Sequence, residues 1–411
     1  MSMSIKSGNA GLATLLAALA MLGPFSIDTY LPAFPAIQSS LHASAIEVQQ
    51  TLTAYMLSFA AMTLWHGALS DAFGRRNVIL VALAIFAVAS FGCASAHSVH
   101  YLWGFRILQG VSAGAGVVVG RAIIRDLYAG APAERLLSLV TMIFSIAPAI
   151  APIIGGWIVS YMSWRNIFLL LFVYTLALLW ACYRWLPESL PANKRQPFSA
   201  KFLWESYKNV FKSPLFHLKS GTIACNFAGM FLYVSAAPAF ITQHLKLGLD
   251  QFGWQFVPSV AGIFFGALVA NRLAGKISAW TQVSIGFVFL LGASLFNVLF
   301  HLIWPPMLPW SVIPLFFYTF GMSLVAPPAT LRVLDLFPHI RGIVASCQSA
   351  MLTLLGAIVA GVIAPLLDHS VLLLACGQLA FATAGMVLWY VGRNYWRAMT
   401  GQHDQAITTI G

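Results

Sequence analysis

The sequence predicts an all-α polytopic membrane protein with twelve transmembrane helices in two six-helix bundles. Two features of the composition support this prediction. Of the 411 residues, 60% are hydrophobic and only 8% are charged, whereas soluble domains carry about 25% charged residues. The length of the chain also supports it. Twelve spans of ~20 residues need about 240 residues, which is roughly the number of hydrophobic residues in the chain. We therefore exclude a water-soluble globular protein.

The apolar runs place the twelve spans in order along the chain. They are expected near residues 9–31, 46–69, 77–96, 99–122, 136–160, 164–186, 219–242, 252–274, 279–302, 309–331, 342–366 and 371–392. The first run continues past Ala18-Leu19-Ala20, which resembles a signal-peptidase site, so we expect it to remain as a span. Ser44 followed by Glu47 predicts a capping box at the start of the second span.

One long basic connection divides the spans into two groups of six. The expected organisation is an N-terminal six-helix bundle at 1–186, a basic cytoplasmic linker at 187–218, a C-terminal six-helix bundle at 219–393 and a cytoplasmic tail at 394–411. Two six-helix halves of this kind are found in many secondary transporters. The sequence contains no Gly-x-x-x-x-Gly-Lys-Ser/Thr phosphate loop, so ATP-driven transport is not expected.

The cations are distributed in a way that predicts orientation. All but three of the 22 Lys and Arg residues fall on one side of the expected topology. The exceptions are Arg165 and Lys246 on the other side and Arg106 within a span. By the positive-inside rule, the cation-rich side and both termini are cytoplasmic. Because the formal charge of +11 is spread between spans, it indicates a lipid bilayer as partner and no nucleic acid.

No cofactor or metal is expected. The five cysteines lie in or beside apolar runs and form no C-x-x-C pair, which is typical of small apolar side chains. His97 and His100 lie three residues apart at the end of a span, but no third ligand is near them in the sequence.

The most specific segment follows the second span and reads Gly67-Ala68-Leu69-Ser70-Asp71-Ala72-Phe73-Gly74-Arg75-Arg76-Asn77. Its glycines permit a tight turn between two helices, and an acid precedes two arginines. The segment resembles the signature loop of the major facilitator superfamily, in which proline often stands at the position of Asn77. The resemblance implies a cytoplasmic gate that latches the two halves. The candidate gate residues are Gly67, Asp71, Gly74, Arg75, Arg76, Arg125 and Asp126. For Arg125 and Asp126, a plain solvated ion pair is the alternative interpretation.

The fourth span contains Arg106-Ile107-Leu108-Gln109-Gly110. A charged side chain at membrane depth is costly and indicates a functional role by default. The alternative is an arginine that snorkels from a helix end. The segment resembles the R-x-x-q-G motif of the same superfamily, which implies a role for Arg106 in proton coupling.

The fifth span combines two prolines with a glycine pair in Ala147–Gly156. Proline removes a helical hydrogen bond and small residues permit bending, so a kink is expected. The alternative is a kink that serves only packing. The segment resembles the antiporter motif of drug exporters, with Ala151 in place of a glycine, which implies efflux rather than uptake. The predicted kink residues are Pro148, Pro152, Gly155 and Gly156.

The first span ends in Ser26-Ile27-Asp28-Thr29-Tyr30-Leu31-Pro32-Ala33-Phe34-Pro35. With Ala147–Gly156, Ser163–Phe168 and Leu186–Glu188, this stretch resembles the bicyclomycin/chloramphenicol resistance (Bcr/CflA) family of drug:proton antiporters. Asp28 is the only carboxylate that we place inside an apolar span, and with Arg106 it forms the predicted proton-coupling pair. A solvated acid at the periplasmic end of the helix is the alternative.

Other polar, aromatic or flexible side chains within spans are candidates for a central substrate cavity, although each is equally compatible with a packed interior position. They are Tyr30, Tyr55, Gln109, Thr141, Phe144, Ser145, Asn226, Met230 and Gln348.

These observations and the resemblance predict proton-coupled efflux (drug:H+ antiport) of small amphipathic compounds such as antibiotics. The expected protein works by alternating access as a monomer in the bacterial inner membrane and is not an enzyme. An exporter or facilitator of a physiological solute, such as a sugar, nucleoside or amino acid, is the first alternative. A polytopic membrane enzyme is the second, and it would need clustered His, Asp or Ser groups at one membrane face.

Overall fold

The computed structural model describes residues 4–128, 136–137, 140, 146–195 and 198–400. All regular structure in these residues is helical, which confirms the all-α prediction. The long helices are α1 (Ser4–Asp28), α2 (Phe34–Leu41), α3 (Ala45–Phe73), α4 (Arg75–Ala94), α5 (Val99–Ala113), α6 (Ala115–Leu127), α7 (Ala147–Tyr161), α8 (Arg165–Trp185), α9 (Ala200–Phe211), α10 (Pro214–Ser235), α11 (Gly253–Leu273), α12 (Ala279–Ile303), α13 (Ile313–Leu334), α14 (Arg341–Ile358) and α15 (Val371–Thr400).

Short helical turns connect several of these helices. They are Leu31–Ala33, Ala192–Lys194, Ala237–Ala239, Phe240–His244, Leu249–Gln251, Pro338–Ile340, Val359–Ile363 and Ala364–Leu367. Phe240–His244 and Val359–Ile363 are π-helical.

Eight helical segments of the described chain are long and apolar enough to cross a membrane. A ninth results if Pro214–Ser235 and Ala237–His244, which are bent by 46°, count as one span. Of the remaining three predicted spans, two coincide with α3 and α13. The third, 136–160, contains the shorter apolar helix α7, and its first part lies mostly outside the described residues. Each of the twelve expected spans therefore contains a helix.

The beginning of α3 shows why a span starts at a given residue. Ser44 accepts a hydrogen bond from the backbone N–H of Glu47, and the Glu47 carboxylate accepts one from the backbone N–H of Ser44. This reciprocal pair satisfies two N–H groups that have no partner within the helix. The predicted capping box is confirmed.

Two expected spans are interrupted next to candidate site residues. In the first expected span, the α-helix ends at Asp28. Pro32 and Pro35 lie in the first turns of the two short helices that follow. These positions tolerate proline because the first N–H groups of a helix have no partner within the helix. The fourth span divides into α5 and α6 at Gly114, whose ψ of −18° departs from the α-helical value of about −42°.

The chain forms two compact units. The first comprises Met1–Leu203 and Leu249–Gly253, and the second comprises Trp204–Gly248 and Trp254–Gly411. In the first unit α3 packs on α5 and α4 on α8; in the second, α10 packs on α15 and α12 on α13. A cluster of buried apolar side chains from α10, α12, α13 and α15, including Phe287, Tyr318 and Trp389, forms a core of the second unit.

Candidate functional site

The centre of the first unit is a buried arginine. Arg106 lies on α5, and none of its surface is exposed. Its guanidinium carbon lies 4.3 Å from the ring centroid of Tyr55 and 4.7 Å from that of Tyr30. Aromatic faces attract a cation through their quadrupole, and the attraction is stronger where water is excluded. Arg106 is therefore held mainly by two tyrosine rings.

Hydrogen bonds fix one edge of the Arg106 guanidinium. Nη1 donates to Gln109 Oε1 at 2.9 Å and to the carbonyl oxygen of Ser26 at 3.3 Å. Gln109 in turn donates to Ser90 Oγ at 2.9 Å. Nε and Nη2 of Arg106 are buried without a hydrogen-bond partner among the described residues. Because such donors are rare in native structures, each requires an explanation.

Each of the two tyrosine hydroxyls makes a hydrogen bond of its own. The Tyr30 hydroxyl lies 2.7 Å from Thr51 Oγ1, and the Tyr55 hydroxyl donates to the carbonyl oxygen of Gly23 at 3.1 Å. A Cβ atom at Gly110 would collide with the backbone carbonyl of Tyr55. The absence of a side chain at Gly110 therefore allows α5 to approach α3 closely enough to bring Arg106 over the Tyr55 ring.

Asp28 is the last residue of α1 and is only 5% exposed. No salt bridge joins it to Arg106 in the part of the chain that the structure describes. The structure thus buries both Asp28 and Arg106 in the first unit but does not pair them directly.

The glycine pair of α7 lies against backbone rather than side chains. A Cβ atom at Gly155 would collide with the carbonyl of Thr29, which follows Asp28, and one at Gly156 would collide with the carbonyl of Leu249. Pro148 lies in the first turn of α7, where its missing N–H has little cost, and only Pro152 lies in the helix interior. Gly155 therefore allows α7 to lie next to the Asp28 end of α1, and Gly156 allows it to lie against Leu249.

A second polar cluster surrounds Arg75 at the junction of α3 and α4. Its Nη1 contacts Asp71 Oδ1 at 2.5 Å and donates to Ser70 Oγ at 2.6 Å, and its Nε lies 3.0 Å from Asp126 Oδ2. Ser189 also donates to Asp126 Oδ2 at 2.9 Å. One arginine therefore connects the α3–α4 turn to the end of α6 within the first unit.

Gly74 makes a further contact possible. Its φ of +96° lies in the region that favours glycine, and a Cβ atom there would lie 2.5 Å from Glu188 Oε2. The backbone N–H of Arg75 donates to Glu188 Oε1 at 3.0 Å, and Arg195 lies 3.6 Å from Glu188 Oε2. Glu188 is a cluster member that sequence reasoning missed as a site residue. Its signal was that it is one of only two acids, with Glu205, in a basic connection.

The other candidate gate residues differ in their surroundings. Arg76 donates to the carbonyl oxygen of Tyr183 and lies over the ring of the same residue. Arg125 is exposed, and no salt bridge of the described residues includes it. A Cβ atom at Gly67 would make only an ordinary contact, at 3.9 Å, with Val118.

The candidate cavity residues of the second half lie in the second unit. Asn226 is 1% exposed, and neither polar atom of its amide has a hydrogen-bond partner among the described residues. Gln348 donates to Thr330 Oγ1 at 3.2 Å, and Met230 packs against the apolar core. Thr141, Phe144 and Ser145 lie outside the described residues.

The second unit also contains a buried polar network that sequence reasoning missed. Asn297 Nδ2 donates to the Tyr233 hydroxyl at 2.7 Å and lies 3.4 Å from Gln378 Oε1. Gln255 donates to the carbonyl oxygen of Tyr233 at 2.6 Å. The four side chains lie on four helices, and single amides in long apolar runs give little signal of their pairing.

Comparisons with known proteins agree with this fold. A sequence model described as the Major Facilitator Superfamily matches residues 16–361. The chain belongs to the major facilitator superfamily. The crystal structure of a D-xylose-proton symporter resembles this superfamily member with a TM-score of 0.73, covering 92% of this chain and 97% of its own. At 14% identity that likeness shows the fold alone.

Two curated relatives of this superfamily member match most of its length. An uncharacterized MFS-type transporter, YdgK of Bacillus subtilis strain 168, is 32% identical over 91% of this chain and 92% of its own. A bicyclomycin resistance protein homolog of Haemophilus influenzae is 27% identical over 85% of this chain and 87% of its own. The predicted family and all-α fold class are thereby confirmed.

Proposed function

We propose that this protein exports small amphipathic compounds such as antibiotics in exchange for protons, by alternating access. The name of the bicyclomycin resistance relative supports a drug-like substrate. The close approach of α7 at Gly155 to the Asp28 end of α1 agrees with the antiporter resemblance of that segment. In this proposal the protein moves its substrate without changing any covalent bond and is not an enzyme.

The observation that carries the proposal is the burial of both Asp28 and Arg106 in the first unit. Asp28 is buried without a salt bridge among the described residues, and an ionised carboxylate in such surroundings is costly. Arg106 has two N–H donors without partners in the described chain. A change in the protonation of Asp28 would therefore strongly alter the balance of buried charge in the first unit.

We assign the roles as follows. Asp28 carries the exchanged proton, and Arg106 responds to its charge through the neighbouring tyrosines. Gln109 orients Arg106, and the unpaired amide of Asn226 is offered to substrate. The remaining proposed cavity residues are Tyr30, Tyr55, Thr141, Phe144, Ser145, Met230 and Gln348.

The other assignments extend the same proposal. The Arg75 cluster acts as a cytoplasmic gate, and the α7 glycines together with Pro148 and Pro152 allow α7 to bend. Residues 1–186 and 219–393 act as the two transport domains, joined by the linker at 187–218 and followed by a tail at 394–411. The protein works as a monomer in the bacterial inner membrane, with both termini in the cytoplasm.

The test is export by cells that lack their own exporters, with chloramphenicol and bicyclomycin as the two probes. We expect lower accumulation of at least one probe, and the effect should disappear with a protonophore. Asp28→Asn should abolish gradient-driven export, whereas Glu205→Gln, a change of an exposed acid on α9, should leave it intact. Export by Asp28→Asn at the wild-type rate would overturn the role of Asp28. Export that persists with the protonophore would support a facilitator instead.

A further inference from the structure

A series of hydrogen bonds leads from Arg106 to the backbone of α4. Arg106 Nη1 donates to Gln109 Oε1 at 2.9 Å, and Gln109 Nε2 donates to Ser90 Oγ at 2.9 Å. The Ser90 hydroxyl in turn donates to the carbonyl oxygen of Phe86 at 2.8 Å. We call this series the Ser90 relay. Arg106, Gln109 and Ser90 have no exposed surface, so bulk water cannot replace a partner that is lost.

The direction of the Ser90 relay is fixed at both of its ends. A guanidinium group can only donate hydrogen bonds, and a carbonyl oxygen can only accept them. Because Ser90 gives its single hydroxyl proton to Phe86, it presents a lone pair to Gln109, and the amide must meet that lone pair with its NH2 group. The amide oxygen then faces Arg106. An amide turned by half a rotation would set two N–H donors against each other at Arg106.

Two further contacts of α4 support the same orientation of the amide. The thiol of Cys93, three residues after Ser90, donates to Gln109 Oε1 at 3.7 Å. A Cβ atom at Gly92 would collide with the ring of Phe105 on α5, so the absence of a side chain there allows α4 to lie close to α5. Helix α4 therefore brings an acceptor to one end of the Gln109 amide and a weak donor to the other.

We propose that Ser90 is a positioning residue for Arg106 and that it acts through Gln109. Ser90 holds the amide in the one orientation that offers an oxygen to the guanidinium. The consequence for transport rests on the proposed function, in which Arg106 takes part in proton coupling. Ser90 bonds to Gln109 and to the backbone of Phe86, so its effect on Arg106 is indirect.

Loss of the Ser90 hydroxyl would free the Gln109 amide. Ser90→Ala leaves Nε2 of Gln109 buried without its acceptor, which is costly, and removes the reason for the amide to keep its oxygen towards Arg106. When the amide turns, Arg106 Nη1 keeps only its longer bond, to the carbonyl oxygen of Ser26 at 3.3 Å. The guanidinium would then be held less firmly, so the proton-coupled step should slow while the binding of substrate changes little.

The first experiment uses the full-length protein in proteoliposomes with an imposed proton gradient, and chloramphenicol and bicyclomycin are the probes. Ser90→Ala should lower kcat about tenfold, the scale of losing one hydrogen bond to a charged group, and should change KM less than about twofold. The matched control is Ser294→Ala on α12. Ser294 also has no exposed surface and donates to the carbonyl four residues earlier, that of Leu290, at 2.8 Å.

Ser294→Ala should transport at the wild-type rate, because its serine lies in the other unit from Arg106. An unchanged kcat in Ser90→Ala would overturn the proposal, and so would a rise in KM alone. An equal loss of kcat in Ser294→Ala would show that removal of any buried serine hydroxyl has this effect, which would also overturn it.

A second comparison tests whether Ser90 acts through Gln109. Gln109→Met keeps a side chain of similar length but removes the amide, and it should itself lower kcat. In this background, Ser90→Ala should change kcat by less than about twofold, because residues that act in series are not additive. A further loss as large as that in the wild type would mean that Ser90 serves packing alone and would refute the proposal.

Unfolding measurements separate the Ser90 relay from the proposed function. A wild-type protein that transports neither probe would overturn drug export, but the relay is still testable in mixed micelles. Ser90→Ala should raise the equilibrium constant of unfolding about tenfold when Arg106 is present. In an Arg106→Met background the factor should fall below about threefold, because either orientation of the Gln109 amide is then allowed. Equal factors in the two backgrounds would contradict any role of Ser90 towards Arg106.

Discussion

The guanidinium of Arg106 lies 4.3 Å from the ring of Tyr55 and makes no salt bridge with Asp28. A cation–π contact away from water contributes about 2 kcal/mol or more, and Tyr30 supplies a second one at 4.7 Å. Nε and Nη2 of Arg106 have no hydrogen-bond partner in the described part of the chain. Tyr30, after α1, and Tyr55, on α3, therefore hold the Arg106 guanidinium without neutralising its charge.

The first prediction concerns the shape of the Arg106 side chain. Arg106→Lys keeps the charge but cannot reach Gln109 and Ser26 while lying flat on a tyrosine ring. Loss of one hydrogen bond from a charged group costs about 1.5–3 kcal/mol, so kcat/KM for export should fall roughly tenfold or more. The control is Arg165→Lys, at an arginine that also lies over an aromatic ring, that of Trp164. Equal transport rates in the two variants would contradict the prediction.

The second prediction tests the close approach of α5 to α3. Gly110→Ala places a methyl group against the carbonyl of Tyr55, and such overpacking costs about 1–3 kcal/mol. The free energy of unfolding, measured by SDS titration of mixed micelles, should fall by that amount. Gly104→Ala on the same helix meets no atom within 4 Å and should change it by less than about 0.5 kcal/mol. Similar losses in both variants would show that helix contact at Gly110 is not the cause.

The third prediction ranks the carboxylates around Arg75. The Asp126 side chain is 21% exposed and that of Asp71 is 46% exposed. Water therefore screens the Arg75–Asp71 pair more than the Arg75–Asp126 pair. Asp126→Asn should lower the free energy of unfolding by about 1–2 kcal/mol, and Asp71→Asn by less than about 1 kcal/mol. The control is Asp335→Asn, because the Asp335–Arg341 pair is exposed on both sides. A larger loss for Asp335→Asn than for Asp126→Asn would refute this ranking.

The fourth prediction concerns pH and Asp368, which precedes α15 and is outside the spans. Burial raises the pKa of the Asp368 carboxyl, and the neighbouring His369 and His244 oppose this with a smaller effect. The folded protein then binds the proton more tightly than the unfolded chain does. Its stabilising effect is complete below the ordinary aspartate pKa of about 3.9 and is lost as pH rises through the raised pKa.

Asp368→Asn should remove this dependence, because asparagine stays neutral at every pH. Thermal unfolding in detergent, measured from acidic to neutral pH, should show the variant gaining stability relative to the wild type as pH rises. Asp335→Asn, at an exposed acid, serves as the control and should follow the wild type. Parallel curves for Asp368→Asn and the wild type would mean that the Asp368 carboxyl does not have a raised pKa in the folded protein.

The fold class and several local features were predictable from neighbouring residues alone. Each long apolar run contains a helix of the described chain, because burial of ~20 consecutive residues in a bilayer depends on composition and length. The capping box at Ser44 and Glu47 was likewise predictable, since both of its hydrogen bonds form within one turn. The salt bridge between Asp71 and Arg75 is local in the same sense, because the two residues are only four positions apart.

The partners of the buried groups were decided only by the tertiary structure. Arg106 was identifiable as a charge in an apolar run, but its contacts come from Tyr30 after α1 and from Tyr55 on α3. The contact of Gly74 with Glu188 likewise joins segments more than 110 residues apart in the chain. Hydropathy and capping are properties of adjacent residues and can be read in order along the chain. The partner of a buried polar group depends on how distant helices pack, and many packings are compatible with the same apolar pattern.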